Sequence, residues 1–313
     1  MDQLTAITTG RNMIITSLMG GLGNQMFQYA TAKHLSIINN TDLRIDASNF
    51  RKLTSNREHN LQLTNFNISA QQATRSEILG VVKPINFFSR FVVSVFRSSP
   101  LKADSKAIYR EPGGSDFKPC ILQLSGDRYL IGYFNSYKYF EKSRNYLIDE
   151  YNPREAVSLD GQKLLKLIES TNSISIHIRR GDYVNDPGVY RCIEGITTDR
   201  FYHNAIDLIA SKVNSPHFFI FSNDMQWVKT NFKIPFEVTF VDINSPQRGF
   251  EDLWLMSRCK HNITAGGSTF SWWAAYLNLN PEKIVVRTDN ISNEPIYNHP
   301  EDYFPAGWAS VKS

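Results

Sequence analysis

Cysteine is scarce. Cys120, Cys192 and Cys259 are odd in number, far apart and never in Cys-x-x-Cys spacing, which excludes a disulfide framework and a thiolate zinc or redox centre. That usage fits a reducing compartment. No stretch reaches the roughly 20 apolar residues of a bilayer-spanning helix, and residues 1–12 lack the basic start and apolar run of a secretory signal, so the chain reads as cytoplasmic. Excess charge of one sign is small as well: 34 Lys and Arg against 30 acidic residues leave a net +4. That bias suits an anionic small ligand or an acidic membrane surface and is too small to argue nucleic-acid binding. Four chemical signatures are missing. There is no Asp-x-Asp metal anchor, no Gly-x-x-x-x-Gly-Lys phosphate loop, no Gly-x-Ser-x-Gly elbow and no paired-histidine metal spacing. Metal-dependent and acyl-transfer chemistries lose support, and no metal or cofactor is expected.

What is present is apolar material. Hydrophobic residues make up 42% of the 313, with 20 Phe and 14 Tyr, enough for two packed domains with a cleft between them. Residues 13–18 form an apolar run that ends in Gly20-Gly21-Leu22-Gly23-Asn24-Gln25, after which Met26, Phe27, Tyr29, Ala30, Leu35 and Ile38 suggest a helix. A strand at 43–46 closes the unit, helices are expected near 75–82 and 87–96, and another strand at 129–134. The second half is more regular: strands at 174–178, 218–221, 238–241, 262–264 and 284–286 alternate with amphipathic stretches. That alternation predicts an α/β protein whose C-terminal domain is a doubly wound parallel sheet. The expected division is 1–150, 151–295, and a final segment, 296–313, returning across the cleft. Residues 87–97, apolar with Arg90 and Arg97 as basic punctuation, fit either a helix packed on its own domain or a peripheral contact with a membrane surface.

The most informative string is Ile174-Ser175-Ile176-His177-Ile178-Arg179-Arg180-Gly181-Asp182-Tyr183. Strand alternation puts the three isoleucines on one face and Ser175, His177 and Arg179 on the other. Arg180 and Asp182 fall just past the carboxyl end of the strand, the edge where open α/β sheets bind ligands. An arginine there can grip a diphosphate bidentately and stabilise it as it departs. Asp182 can orient an arginine or act as a base, and His177 can pack or touch the ligand. The bland alternative is an exposed turn whose arginines are solvated or paired with Asp182 and Asp186.

In Ile263-Thr264-Ala265-Gly266-Gly267-Ser268-Thr269-Phe270-Ser271-Trp272-Trp273, a strand ends, two glycines let the backbone come close, and hydroxyl residues stand where a helix starts. Such an amino terminus suits phosphate, and the same groups would make an ordinary cap; the tryptophans read as packing. Phe221-Ser222-Asn223-Asp224 and Val241-Asp242-Ile243-Asn244 also close strands, where a carboxylate can accept the N–H groups of guanine or cap the next helix. Gly21-x-Gly23, with Asp46 downstream, opens a competing class, a nicotinamide-dependent oxidoreductase, although Met26 stands where the third glycine of that fingerprint belongs.

With these residues in hand, the chain resembles the bacterial α1,2-fucosyltransferase family. The matching pieces are Gly20 through Tyr29, Gly132 through Phe140, His177 through Tyr183, Phe221 through Asp224 and Ile263 through Trp273, in order along almost the whole chain. The His-x-Arg-Arg-x-Asp string also looks like the donor site of α1,6-fucosyltransferases, and Gly23-Asn24-Gln25 like the glycine turn of protein O-fucosyltransferases. The resemblance implies two Rossmann-like domains facing a cleft (GT-B), GDP-fucose as donor, a galactose-containing oligosaccharide or lipid-linked glycan as acceptor, and inversion without a metal. By the same likeness Arg179 holds the β-phosphate; Arg180, Ser268, Thr269, Phe270 and Ser271 complete the diphosphate site; Asn223 and Asp242 serve the nucleotide; and Asn24 faces the reacting centre. Phe134-Asn135 stands where the family string carries Trp-Gln. Arg57, Glu58, His59, Asn60, Tyr133 and Phe134 are the acceptor-side candidates.

Overall fold

Short apolar runs, too short for helices, become the strands of two separate parallel sheets. The computed structural model describes residues 11–50, 60–82, 106–180 and 186–312. The first half contributes β1 (Met13–Ser17), α1 (Leu22–Asn39), β2 (Asp42–Asp46), β3 (Gln71–Gln72), α2 (Arg75–Val82), β4 (Ile108–Arg110), β5 (Arg128–Ile131) and α3 (Arg144–Glu150). The second begins with α4 (Leu159–Ser170), β6 (Asn172–Ile178), α5 (Pro187–Ile193), α6 (Asp199–Ala210), β7 (Pro216–Ser222), α7 (Met225–Asn231) and β8 (Glu237–Val241). It ends with α8 (Gly249–Arg258), β9 (His261–Ile263), α9 (Thr269–Leu277), β10 (Val285–Thr288), α10 (Pro300–Tyr303) and β11 (Ala309–Val311). The helix expected near 87–96, and with it the membrane-surface stretch, lies outside the described residues.

Strand order is β3-β2-β1-β5-β4 in one sheet and β11-β10-β9-β6-β7-β8 in the other, with every pairing parallel. Each sheet grows outward from its first strand and then reverses, so β1 lies beside β5 and β6 beside β9. Crevices at the carboxyl ends of such strand pairs are where open α/β sheets take ligands. This is the expected α/β class with the expected parallel sheets. Strands β3, β4 and β11 are additions, each two or three residues long and too short for periodicity to reveal. The strand expected at 129–134 stops at Ile131, because Phe134 turns into the left-handed region at φ 53°.

Alternation along β6 comes out as written in the sequence. Ile174, Ile176 and Ile178 enter an apolar cluster with α6 and α7, while Ser175 on the other face accepts a 2.7 Å hydrogen bond from Asn262 Nδ2. A second cluster runs without a break from Phe27 and Phe140 through Trp272, Trp273 and Tyr276 to Tyr303. Both tryptophans are fully buried packing, as their composition suggests. Trp273 Nε1 donates to Gly23 O at 3.0 Å and Trp272 Nε1 to Tyr303 O at 2.8 Å, so neither indole N–H is left unmet in the core. The final segment leans on the first half: Ser115 N donates to Ile296 O at 3.1 Å, and Asp302 accepts from Phe117 N at 2.9 Å and Lys138 Nζ at 2.6 Å. The chain then ends as β11, paired with β10.

Candidate active site

A cavity of about 510 Å³ opens where the carboxyl edges of the two sheets meet. One wall comes from residues after β1, β4 and β5, the other from residues after β6, β9 and β10. From the first side come Gly21, Gly23, Asn24, Tyr133 and Asn135; from the second come Arg179, Ser268, Thr269 and Phe270.

The β9–α9 turn is shaped from within. Gly267 takes φ 66°, a left-handed conformation that glycine adopts without steric cost. Gly266 N donates to Thr197 Oγ1 at 2.9 Å, and a side chain at Gly266 would press Ile196 Cγ2 at 2.6 Å. Ser271 is fully buried and its hydroxyl accepts from Ala265 N at 3.1 Å, so this residue, expected at the diphosphate, holds the turn instead. Ser268 occupies the N-cap position without capping: its Oγ lies 3.4 Å from His177 Nδ1 and makes no bond to the helix amides. Ser268, Thr269 and Phe270, at the amino terminus of α9, line the cavity, so the positive end of the helix dipole lies beside it. His177 is buried, its ring 5.2 Å from that of Phe270, and it supports this turn from the strand below.

Arg179 and Arg180 part company at the end of β6. Arg179 lines the cavity. Arg180 lies with its guanidinium 3.5 Å over the Trp227 ring and its Nε 3.5 Å from Asp224 Oδ2, while its backbone N–H donates to Asn223 Oδ1 at 2.9 Å. Asp224 also caps α7, accepting from Trp227 N at 3.2 Å. Arg180, Asn223 and Asp224 thus form a knot on the rim and are not among the described residues lining the cavity. Asp242, the guanine candidate, is half exposed and pairs with Lys229 Nζ at 2.7 Å, likewise apart from the cavity lining. Asp182 lies outside the described residues, as do Arg57, Glu58 and His59.

On the opposite wall, Gly20 at φ 74° lets the Asn24 side chain fold back: a Cβ there would stand 2.7 Å from Asn24 Nδ2. Gln25 is engaged internally, with Nε2 on Gly20 O and Asn60 O and Oε1 accepting from Gln62 N and Leu63 N. Gly23 is small for a reason unrelated to a dinucleotide: a Cβ would sit 2.5 Å from the Thr269 carbonyl carbon and 2.7 Å from Phe270 N. The glycine turn and the phosphate-type turn, some 245 residues apart, are in van der Waals contact through it.

Glu111 and Ser115 had no motif to announce them, whereas Asn135 belongs to the Gly132–Phe140 string. Glu111, Ser115 and Asn135 line the first wall, and Ser115 Oγ and Asn135 Oδ1 are buried with no hydrogen-bond partner among the described residues. Burial raises the Glu111 pKa above the ordinary glutamate range, partly offset by the Tyr133 and Phe134 amides that bond to it. In the first turn of α8, Asp252 is pushed up to about 6, chiefly by burial, while accepting from Asn244 Nδ2 at 2.7 Å. For a metal, the described residues offer one gathering of ligand atoms, His299, Glu301 and Asp302, within 4.8 Å of one another. Asp302 there already serves Lys138 and Phe117 N.

The chain is 31% identical to an alpha-1,2-colitosyltransferase of Escherichia coli over 85% of its own length and 88% of the relative's. It is 29% identical to galactoside alpha-(1,2)-fucosyltransferase 2 of Hylobates lar over 58% of this chain and 54% of that one. In structure it matches a variant of Arabidopsis thaliana FUT1 in complex with GDP, with a TM-score of 0.50 at 10% identity, covering 96% of this chain and 76% of that one, which speaks for the fold alone. The family model described as glycosyl transferase family 11 matches residues 3–312, and the chain belongs to that family.

Proposed function

We propose that this glycosyltransferase moves L-fucose from GDP-fucose to O2 of a galactose residue on an acceptor glycan, with inversion at the anomeric carbon. The observation that carries the reading is the pairing of Arg179 with the open amino terminus of α9 on one wall of a cavity whose other wall presents Asn24. In sugar transfer the leaving group is a nucleoside diphosphate. Charge and amides aimed at the oxygen where negative charge develops favour the transition state over the bound donor. The arginine and helix terminus supply what a divalent ion supplies in metal-dependent transferases. Transfer is expected to persist in excess EDTA, and loss of activity that added Mg²⁺ or Mn²⁺ restores would overturn this part.

The first test is product analysis. Incubation with GDP-fucose and lactose, followed by NMR or methylation analysis, is expected to yield fucose α1,2-linked to galactose. A different linkage, or no GDP release with any galactoside, would overturn the assignment. The similarity to an alpha-1,2-colitosyltransferase favours one second reading, a donor that is the 3-deoxy counterpart of GDP-fucose. Competition between the two donors at equal concentration, read as the ratio of kcat/KM, separates them. A nicotinamide-dependent reductase is disfavoured, since Gly23 is occupied by packing against Thr269 and Phe270.

A further inference from the structure

Glu111 follows β4 and sits where the first sheet faces the donor wall. Its Oε2 accepts from Tyr133 N at 2.7 Å and Phe134 N at 2.8 Å. The 132–134 turn is folded around that oxygen. A side chain at Gly132 would come within 2.6 Å of Oε2, and Phe134 takes a left-handed φ of 53° with its ring buried in the core. A non-glycine residue held in that region marks strain that surrounding structure must maintain, and such strain gathers at functional sites. Two amides anchor Oε2, and Oε1 has no hydrogen bond among the described residues. Beside it in the same cavity lie the unpartnered Ser115 Oγ and Asn135 Oδ1. A wall with one anchored carboxylate and two unmet hydroxyl-binding atoms fits a polyhydroxylated sugar better than a phosphate, which a carboxylate would repel.

We propose that Glu111 takes the proton from the attacking hydroxyl of the acceptor sugar, with Ser115 and Asn135 holding neighbouring hydroxyls. This rests on the glycosyl-transfer reading above. As the acceptor oxygen bonds to C1 of the donor sugar, the bond from C1 to the β-phosphate oxygen breaks and its electron pair leaves with GDP. The acceptor proton passes to Oε1 and returns to solvent after product leaves. The charged and titratable neighbours of Glu111 are Tyr109 on β4, Asp116 and Lys118 in the following loop, and Tyr139; Arg179 lines the cavity opposite. Burial is the largest influence, and it holds Glu111 protonated to higher pH than a free glutamate. A base must be deprotonated, so the acid limb of kcat is expected above the ordinary value of about 4.3.

The test uses Glu111→Gln and Glu111→Ala in the full chain with GDP-fucose and lactose. The glutamine carbonyl still accepts from the Tyr133 and Phe134 amides, so the turn is retained. Expected results are a loss of at least about 100-fold in kcat for both variants, disappearance of the acid limb, and GDP affinity by calorimetry within about twofold of wild type. Azide needs no deprotonation and is expected to restore glycosyl transfer, as fucosyl azide, in Glu111→Ala but not in Arg179→Ala. A Gln variant whose kcat is intact while only the lactose KM rises, or a kcat loss that azide fails to rescue, overturns the base. If the wild type itself transfers nothing from GDP-fucose, the underlying donor reading falls; an active wild type beside an unimpaired Gln variant sinks the role of Glu111 alone.

Discussion

Arg179 and Arg180 are adjacent in sequence, and a strand end sends them to different work. Arg179 continues the polar face of β6 into the cavity, whereas Arg180 turns onto Trp227 and Asp224. Arg179→Ala is therefore expected to lower kcat by at least about 100-fold with the melting temperature unchanged. Near-normal turnover by the folded variant would remove Arg179 from the donor site. Arg180→Ala is expected to show the opposite balance, a stability loss of about 1 kcal/mol from the forfeited ring contact and a smaller effect on kcat, read by thermal melts beside rates. Asp252 gives a prediction with a sign. Its folded pKa of about 6 lies above the unfolded 3.8, so the folded state holds the extra proton between those values and stability falls as pH rises through that window. Asp252→Asn removes this dependence and is expected to gain on wild type, by on the order of 2 kcal/mol, between pH 4 and pH 7. Parallel pH–stability curves for the two proteins would refute it.

At the scale of elements, glycine positions separate packing from mere turn-making. Gly23→Ala drives a methyl into the Thr269 backbone at 2.5 Å, and backbone yields less than a side chain. The expected cost is about 1–3 kcal/mol together with lost activity, because α1 and the β9–α9 turn must separate. Gly80, exposed in α2 with nothing within 4 Å of a would-be Cβ, is the contrast. Gly80→Ala is expected to stabilise by about 0.5–1 kcal/mol through helix propensity. Equal effects at the two sites, measured by denaturant titration, would contradict the close approach at Gly23. Strands long enough to alternate, such as β6 and β7, were legible in the chain, since period-two burial writes itself into residue type. β4 was not, nor was Glu111 beside it: three residues hold too few alternations to stand out, and the carboxylate matters only because a turn 22 residues later folds onto it.

For the molecule as a whole, the two sheets are not joined by a wet hinge. One apolar cluster contains Phe27 and Phe140 with Trp272, Trp273 and Tyr303, and the C-terminal segment fastens Asp302 to Lys138 before returning as β11. Calorimetry is therefore expected to show one cooperative unfolding transition, and two separable transitions would overturn the shared core. The sequence by itself determined the α/β class, the parallel second sheet, the burial of the tryptophans and the short list of turns from which a site could be built. These are local properties, carried by periodicity and by turn residues. Only the tertiary structure decided that Arg179 faces the cavity while Arg180 stacks on Trp227, that Ser271 holds its own turn, and that Glu111, Ser115 and Asn135 complete the opposite wall. The arginines and Ser271 are settled by contacts within the second half, whereas the meeting of the two walls depends on loops of different sheets, as between Gly23 and Thr269, and no local pattern of residues encodes which loops the strand order will bring face to face.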